Sequence, residues 1–442
     1  MDFLQKTKKV IIFLIKAVFF ASLVGSFFLI MGIRLPQLLR PSRTLAVTLL
    51  IYVVVGVALL GVYGSFDIGK RKSKPIISSI GLATVLTDIV SYIQLLIMST
   101  NETNGFKFRL ENFGLFIVTV AVHIILIVIF TYFGNWVFFK LNDPEKCVLI
   151  TSGVDYFGEA ISAIGKFKKQ FDVVFICDYR SRDYLEQIVK CDTVFLYSVP
   201  VKERTEIIEF CYNHLKNVYF NPEVADISEM YAKHVLIDDI SFVYEPVKQL
   251  NLGQRFIKRS MDIIISIICL IVLSPVMLII AIRIKADDGG KVIYKQKRAT
   301  INGRVFDVYK FRTMKPNDEN HPAVSDDDRI TKAGASLRKY RLDEIPQFLN
   351  VLKGEMSLVG PRPEMLDNVF LYIKECPEFS YRFRVKAGIT GYAQIAGKYN
   401  TTPMNKLILD MMYIEHYSIF RDIKLLLQTL IVLFKKDSTE AF

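Results

Sequence analysis

The chain has little that would organise a disulfide framework or a metal site. Its six cysteines (Cys147, Cys177, Cys191, Cys211, Cys269, Cys376) are scattered over 442 residues without metal-ligand spacing. They read as reduced thiols facing a cytosol. The five histidines form no ligand pattern either. Negative charge is also scarce. Asp and Glu number 44 against 56 Lys and Arg, for a net charge of +12. That excess suits anionic lipid, nucleic acid or phosphorylated substrates. No small-residue cleavage site follows the first apolar stretch, so it is not read as a removable signal. Apolar residues are abundant, at 52% with a mean hydropathy of +0.32. The composition is too apolar for an ordinary soluble enzyme and, with 23% charged residues, too polar for a pure transporter.

Four apolar segments open the sequence, at about 10–33, 45–64, 76–99 and 113–139. Each is close to the roughly 20 residues a helix needs to cross a bilayer. Lys6, Lys8 and Lys9 precede the first, and "KRKSK" (70–74) joins the second to the third. The positive-inside rule therefore puts the N-terminus, residues 65–75 and everything after 140 in the cytoplasm. The basic loop 34–43 falls outside and is read as a headgroup contact. Residues 1–143 form the membrane bundle.

Residues 144–245 alternate strand and helix patterns: "CVLITSG", "DVVFICD", "DTVFLYS" and "NVYF" with helical stretches between. That order implies a parallel, Rossmann-like α/β sheet. Its first turn, "GVDYFG" (153–158), has Asp155 where a dinucleotide fingerprint needs its middle glycine. Asp178 could meet a ribose or simply end a strand. The domain is expected not to bind NAD and to be regulatory.

A fifth apolar segment, 262–284, has Pro275 in its middle and basic residues on both flanks: Arg255, Lys258 and Arg259 before, Arg283 and Lys285 after. A helix broken at Ser274-Pro275 that enters and returns keeps both flanks inside; a kinked spanning helix is the alternative. Beyond it, two alternating stretches around Asn302-Gly303 predict a hairpin. Residues 316–328 read as a polar loop, and 331–341 as a helix. In "LDEIPQFLNVLKG" (342–354) the apolar residues line one helical face, which places Asp343 and Glu344 at a helix start, where the macrodipole favours ionised carboxylates. Acidic pairs at helix starts are common. The surrounding Arg312, Arg338, Arg341 and Arg362, the last held between two prolines, make this one a candidate phosphate site.

The motifs "SP" (274–275), "YKFRTM" (309–314), "LR" (337–338), "DEIPQFLNVLKGEMSLVGPRPE" (343–364) and "GITGYAQIAG" (388–397) resemble those of the bacterial sugar transferases, the polyprenol-phosphate sugar-1-phosphate transferases. The resemblance covers about 255–435. With the four helices and the degenerate Rossmann-like domain, the chain is similar to the family's long form. It implies an α/β monotopic catalytic domain over 250–442 with a re-entrant membrane helix. It also implies transfer of a sugar 1-phosphate, glucose or galactose, from a UDP-sugar to undecaprenyl phosphate, with release of UMP, as the first membrane step of exopolysaccharide, capsule or O-antigen assembly. Asp343 would be the nucleophile, forming a phosphosugar-aspartyl intermediate, and Glu344 would hold Mg²⁺. Arg338 and Arg362, and more weakly Lys310 and Arg312, would contact phosphate. Ala387 departs from the proline that many members carry before "GITG". The expected location is the bacterial inner membrane with catalysis on the cytoplasmic face. The expected partners are membrane lipid and a second copy of the chain, and no nucleic acid.

Other features are weaker. "DDD" (326–328) reads as solvated or capping. Tyr212 and Lys216, with Ser198 upstream, resemble a short-chain dehydrogenase pattern and raise the alternative of a membrane-bound, NAD-dependent nucleotide-sugar dehydratase. A non-catalytic assembly scaffold is a third class, opposed by the intact Asp-Glu pair. The final segment 419–436 reads as an interfacial helix or core. No residue discriminates the sugar.

Overall fold

The computed structural model describes residues 2–63, 68–69, 73–103, 110–153, 156–181, 183–230, 232–244, 250–314, 330–397 and 402–433. Asp155, "DDD" (326–328), residues 70–72 of the basic loop and residues 434–436 lie outside them. The chain divides into two units, Met1–Asn221 and Pro222–Phe442.

The first unit opens with four long helices, α1 (Asp2–Gly32), α2 (Arg43–Tyr63), α3 (Ser73–Thr103) and α4 (Phe113–Leu141). All four are long and apolar enough to cross a membrane. α2 and α4 are apolar almost all round, whereas α3 carries Ser, Thr and Asp88 along its length. Phe27, Met31, Tyr52 and Tyr92 pack between them, and Phe27 lies 4.9 Å from Tyr52, ring to ring.

The α/β part follows as β1 (Glu145–Thr151), α5 (Phe157–Ile164), β2 (Phe171–Asp178), α6 (Tyr184–Lys190), β3 (Thr193–Tyr197), α7 (Val201–Asn213) and β4 (Asn217–Phe220). The four strands form one parallel sheet in the order β2-β1-β3-β4. Val148, Ile150, Val194 and Leu196 are buried from β1 and β3, as central parallel strands require. The chain switches direction between β1 and β3, the arrangement of a doubly wound sheet of the flavodoxin type; a six-stranded Rossmann order would set β1 beside β4.

The second unit starts with α8 (Val224–Glu229) and an antiparallel hairpin, β5 (Lys233–Ile237) and β6 (Ile240–Tyr244). Ile227 of α8 is fully buried in this unit's core, with Val351, Met356, Phe379, Leu407 and Tyr413. Next comes α9 (Leu252–Asp288), opened by a reciprocal cap between Asn251 and Gln254 and closed at Gly289, whose φ is +71°.

The helix expected to break at Ser274-Pro275 is continuous. Pro275 has no N–H for the carbonyl of Ile271 four residues back, and the Ser274 hydroxyl donates to that carbonyl at 2.7 Å. The serine supplies the donor that proline removes, and the helix runs through. Both halves of α9 pack on the same unit. In the first half, Arg259 donates to the carbonyls of Val351 and Leu352, Lys258 reaches Asp422 at 2.7 Å, and the buried Asp262 accepts from Leu358 N. In the second half, Leu273, Met277, Ile280 and Ile284 pack against Phe311, Leu337 and Ile345. The opposite face, including Ile264, Ile268, Ile271, Val272 and Ile279, is exposed.

The rest follows as β7 (Ile293–Ala299), β8 (Val305–Phe311), α10 (Lys332–Lys339), α11 (Gln347–Lys353), β9 (Ser357–Val359), α12 (Leu366–Glu375), β10 (Gly388–Thr390), α13 (Tyr392–Ala396), α14 (Pro403–Ile414) and α15 (Ile419–Leu433). β7 and β8 form the expected hairpin, turning through Asn302 and Gly303 at positive φ. α15 buries Asp422 and Leu425 and leaves Phe420, Ile423 and Leu430 exposed, so one face is core and the other is free for an interface.

Candidate active site

Asp343 and Glu344 lie in a 3-10 turn, Leu342–Glu344, entered from Arg341 in the left-handed region (φ +54°). α11 begins only at Gln347, after Pro346. The expected single helix is therefore two elements, and the acids precede the helix instead of capping it. Burial and neighbouring charge dominate their environment.

Glu344 Oε1 accepts from Lys310 Nζ at 3.0 Å and from Arg362 Nη2 at 3.1 Å. Burial opposes its ionisation, but the attraction of Lys310, Arg362 and Arg341 outweighs that and holds the carboxyl well below the usual range. Asp343 is half-buried, and no hydrogen bond or ion pair engages its carboxylate among the described residues. Burial first and the Glu344 charge second push it up to about 6, against the pull of Lys310, Arg338 and Arg362. The expectation that a helix start would favour its ionised form is corrected in direction, although a carboxyl near 6 is still mostly ionised at neutral pH.

The cations come from separate segments. Lys310 is on β8, beside Tyr309, whose N–H donates to the buried Asn350 of α11. That bond fixes the strand against the helix that follows the acidic turn. Arg338 ends α10 and donates through Nε to Thr313 at 2.9 Å. Its helix lies close to that strand end because Gly334 has no Cβ; one would fall 2.0 Å from the carbonyl oxygen of Thr313. Arg312 is not in the Glu344 cluster. Its guanidinium lies against Gly290, where a Cβ would sit 1.9 Å from Nη1.

Arg362 is held through its backbone. The carbonyl of Pro361 accepts from Gly388 N at 2.9 Å, that of Arg362 from Arg382 at 2.9 Å, and that of Pro363 from Arg298 at 3.1 Å. Three consecutive carbonyls are thus claimed by three other parts of the chain. Arg382 is itself buried, paired with Asp410 at 2.8 Å. Burial draws the Arg298 guanidinium down to about 10, helped by the like charge of Arg362. Arg298, Arg382 and Asp410 were not found in the sequence, because no local pattern links them to the acidic pair. Ala387 has a use for the N–H that proline would lack: it donates to Thr300 at 3.1 Å.

Among the described residues no group of three or more His, Cys, Asp or Glu is placed to hold a metal. Asp343 and Glu344 are the carboxylates that would hold Mg²⁺, an ion that commonly takes one or two protein carboxylates and completes its shell with substrate phosphate and water.

The dehydrogenase-like pattern does not assemble. Tyr212 is exposed at the end of α7, and Lys216 Nζ donates to the carbonyl of Val189.

Residues 253–436 match the family described as bacterial sugar transferase. The exopolysaccharide production protein ExoY of Sinorhizobium fredii is 37% identical over 191 residues, covering 39% of this chain and 83% of that protein. The chain belongs to the bacterial sugar transferase family. A UDP-N-acetylgalactosamine-undecaprenyl-phosphate N-acetylgalactosaminephosphotransferase of Aeromonas hydrophila is 41% identical over 219 residues, 47% of this chain and 50% of that one. An undecaprenyl-phosphate galactose phosphotransferase of Salmonella typhimurium is 29% identical over 337 residues, covering 66% of this chain and 69% of its own. That alignment is longer than the 253–436 segment, so it takes in sequence beyond the transferase region. The chain spans about half the length of the first curated relatives it matches. In this bacterial sugar transferase, the matched region carries the Asp343–Glu344 turn and every cation described around it.

Proposed function

We propose that the protein transfers a sugar 1-phosphate from a UDP-sugar to undecaprenyl phosphate and releases UMP. The observation that carries this reading is the unequal state of the two carboxylates. Glu344 is pinned by two cations, whereas Asp343 is uncommitted and more basic than an ordinary aspartate. An Asp343 oxygen attacks the phosphorus next to the sugar. The bond from that phosphorus to the bridging oxygen breaks, and UMP leaves with the electron pair. An oxygen of the lipid phosphate then attacks the same phosphorus and breaks the acyl-phosphate bond, returning Asp343 to its carboxylate. Lys310, Arg338, Arg341 and Arg362, whose charges act on the acidic pair, would compensate charge on the phosphate oxygens. Mg²⁺ held by Glu344 and diphosphate oxygens would add charge neutralisation; UMP release that persists in EDTA would remove that role.

The membrane arrangement supports the same reading. α9 has 37 residues, about 55 Å at helical rise, against a hydrocarbon core of about 30 Å. Charged residues near its start and apolar residues near its end both pack on the catalytic unit, which favours a continuous helix whose two ends stay on the cytoplasmic side with that unit. Cysteines placed at 255 and 285 should both resist impermeant labelling from outside whole cells; labelling at 285 alone would mean a spanning helix. Beside the acidic turn, an apolar groove of about 220 Å³ is lined by Val276, Ile280, Ile284, Leu337, Tyr340 and Leu342. It suits the proximal part of an isoprenoid chain whose phosphate meets Asp343.

The test is UMP release from a panel of UDP-sugars by the full-length protein in membranes. Asp343→Asn should keep the fold and lose at least about 10³-fold in rate, together with the covalent adduct. Near-normal release by that variant would overturn the assignment.

A further inference from the structure

The membrane bundle carries an acid and a base that the transfer reaction does not use. Asp88 on α3 and His123 on α4 are both fully buried. Asp88 Oδ2 lies 2.8 Å from His123 Nδ1, and Asp88 Oδ1 accepts from the Tyr52 hydroxyl of α2 at 3.2 Å. On the other side of the ring, His123 Nε2 lies 3.1 Å from the carbonyl oxygen of Leu23 and 2.9 Å from Ser26 Oγ, both on α1. One residue pair thus joins all four helices.

The partners decide where the protons are. A carbonyl oxygen only accepts, so the nitrogen facing Leu23 must carry hydrogen. The Ser26 hydroxyl has backbone carbonyls for its own hydrogen, at 2.7 Å (Ser22) and 3.0 Å (Leu23). These contacts favour His123 Nε2 as a donor. A neutral imidazole has then spent its one hydrogen, and Nδ1 would face a carboxylate oxygen at 2.8 Å, lone pair to lone pair. That contact is stable only with a further proton between them.

The same conclusion follows from charge. A bare carboxylate in the interior of an apolar bundle is strongly disfavoured, and no Lys or Arg forms an ion pair with Asp88 among the described residues. Tyr52 is the other titratable group bonded to the pair, and it is a donor. The polar layer extends one turn further on three helices, through the buried Thr48, Ser91 and Thr119.

We propose that the N-terminal bundle is a proton-binding site, in which one proton held between Asp88 and His123 makes the pair neutral and joins the four helices. The proposal goes beyond the transferase reading and does not depend on it.

The test uses full-length protein in nanodiscs with ¹⁵N-labelled histidine, the His123 signals being assigned by their loss in His123→Gln. The expected result is a protonated Nε2 with one of two signatures. Either Nδ1 is protonated as well, or a protonated-carboxyl infrared band is present that disappears in Asp88→Asn. A neutral ring beside an ionised Asp88 overturns the proposal, whichever nitrogen carries the hydrogen. Thermal unfolding gives a second readout. His123→Gln leaves Asp88 without its base and should lower the melting temperature by roughly 5 °C or more. Adding Asp88→Asn removes the charge problem and should restore most of that loss. A double variant no more stable than His123→Gln, in a protein that lacks the protonated-carboxyl band, would show ordinary packing and overturn the proposal.

Discussion

Asp343 and Glu344 are adjacent in the chain and opposite in electrostatic state, and both consequences are measurable. Asp343 holds its proton more tightly when folded than its ordinary value of 3.8 would allow. Its ionisation therefore works against folding, progressively from about pH 4 to about pH 6 and fully above that. Asp343→Asn should raise the melting temperature at pH 7.5, and the gain should vanish at pH 4. Wild-type UMP release should rise with pH through about 6, as the nucleophile ionises. A rate flat from pH 5 to 7, or no stabilisation by the variant, would contradict this account. Glu344 contributes the other way: its stabilisation is present above the ordinary glutamate range and is lost as pH falls below it. The acidic pair, Lys310 and Arg362 were legible in the sequence because they sit in short, dense motifs. Arg298 and Arg382 were not, since they lie 65 and 20 residues along the chain from the carbonyls they hold. His123 is not legible there for the same reason. Its partner is 35 residues away, in another apolar run.

At the scale of elements, α9 shows how a proline is accommodated inside a continuous helix. Ser274→Ala should leave the Ile271 carbonyl without a donor and cost about 1–3 kcal/mol, read as a lower melting temperature in detergent. Changing Pro275 to Ala as well restores a backbone N–H and should recover most of that loss. Equal stability of Ser274→Ala and wild type would sink the compensation argument. The sequence located this helix by its apolar run and its proline. It could not show continuity, because the serine's role depends on which carbonyl its hydroxyl reaches. The acidic turn is not the start of α11 that the spacing predicts, for a related reason. The apolar spacing of Leu342, Ile345 and Phe348 fits a helix, and the left-handed Arg341 that starts a tighter turn leaves no trace in that periodicity.

At the scale of the molecule, the alternation of strands and helices was enough to read a parallel sheet, and the motif order was enough to read the catalytic part. The join between them was less legible. A catalytic fragment drawn from the motifs alone would begin near residue 250, but α8 contributes the fully buried Ile227 to the catalytic core. A chain starting at Pro222 should release UMP in nanodiscs and melt higher than one starting at Leu250, which lacks that side chain. The gap should be about 2–4 kcal/mol, the usual range for removing a large buried aliphatic side chain. Equal stability would mean that α8 packs without consequence. Failure of the longer fragment to release UMP, although folded and membrane-bound, would place a required element in the first unit.

The three claimed carbonyls of residues 361–363 also bear on when activity begins during synthesis. The groups that hold them come from residue 298, already made, and from residues 382 and 388, made later. A nascent chain that has just delivered Asp343 and Glu344 from the ribosome has the acidic pair but no fixed Arg362. α9 precedes all of these in synthesis and is free to reach the membrane first. The order of translation therefore delays fixing of Arg362 until α9 has emerged, which on the proposed mechanism would limit turnover by an unfinished chain away from the membrane.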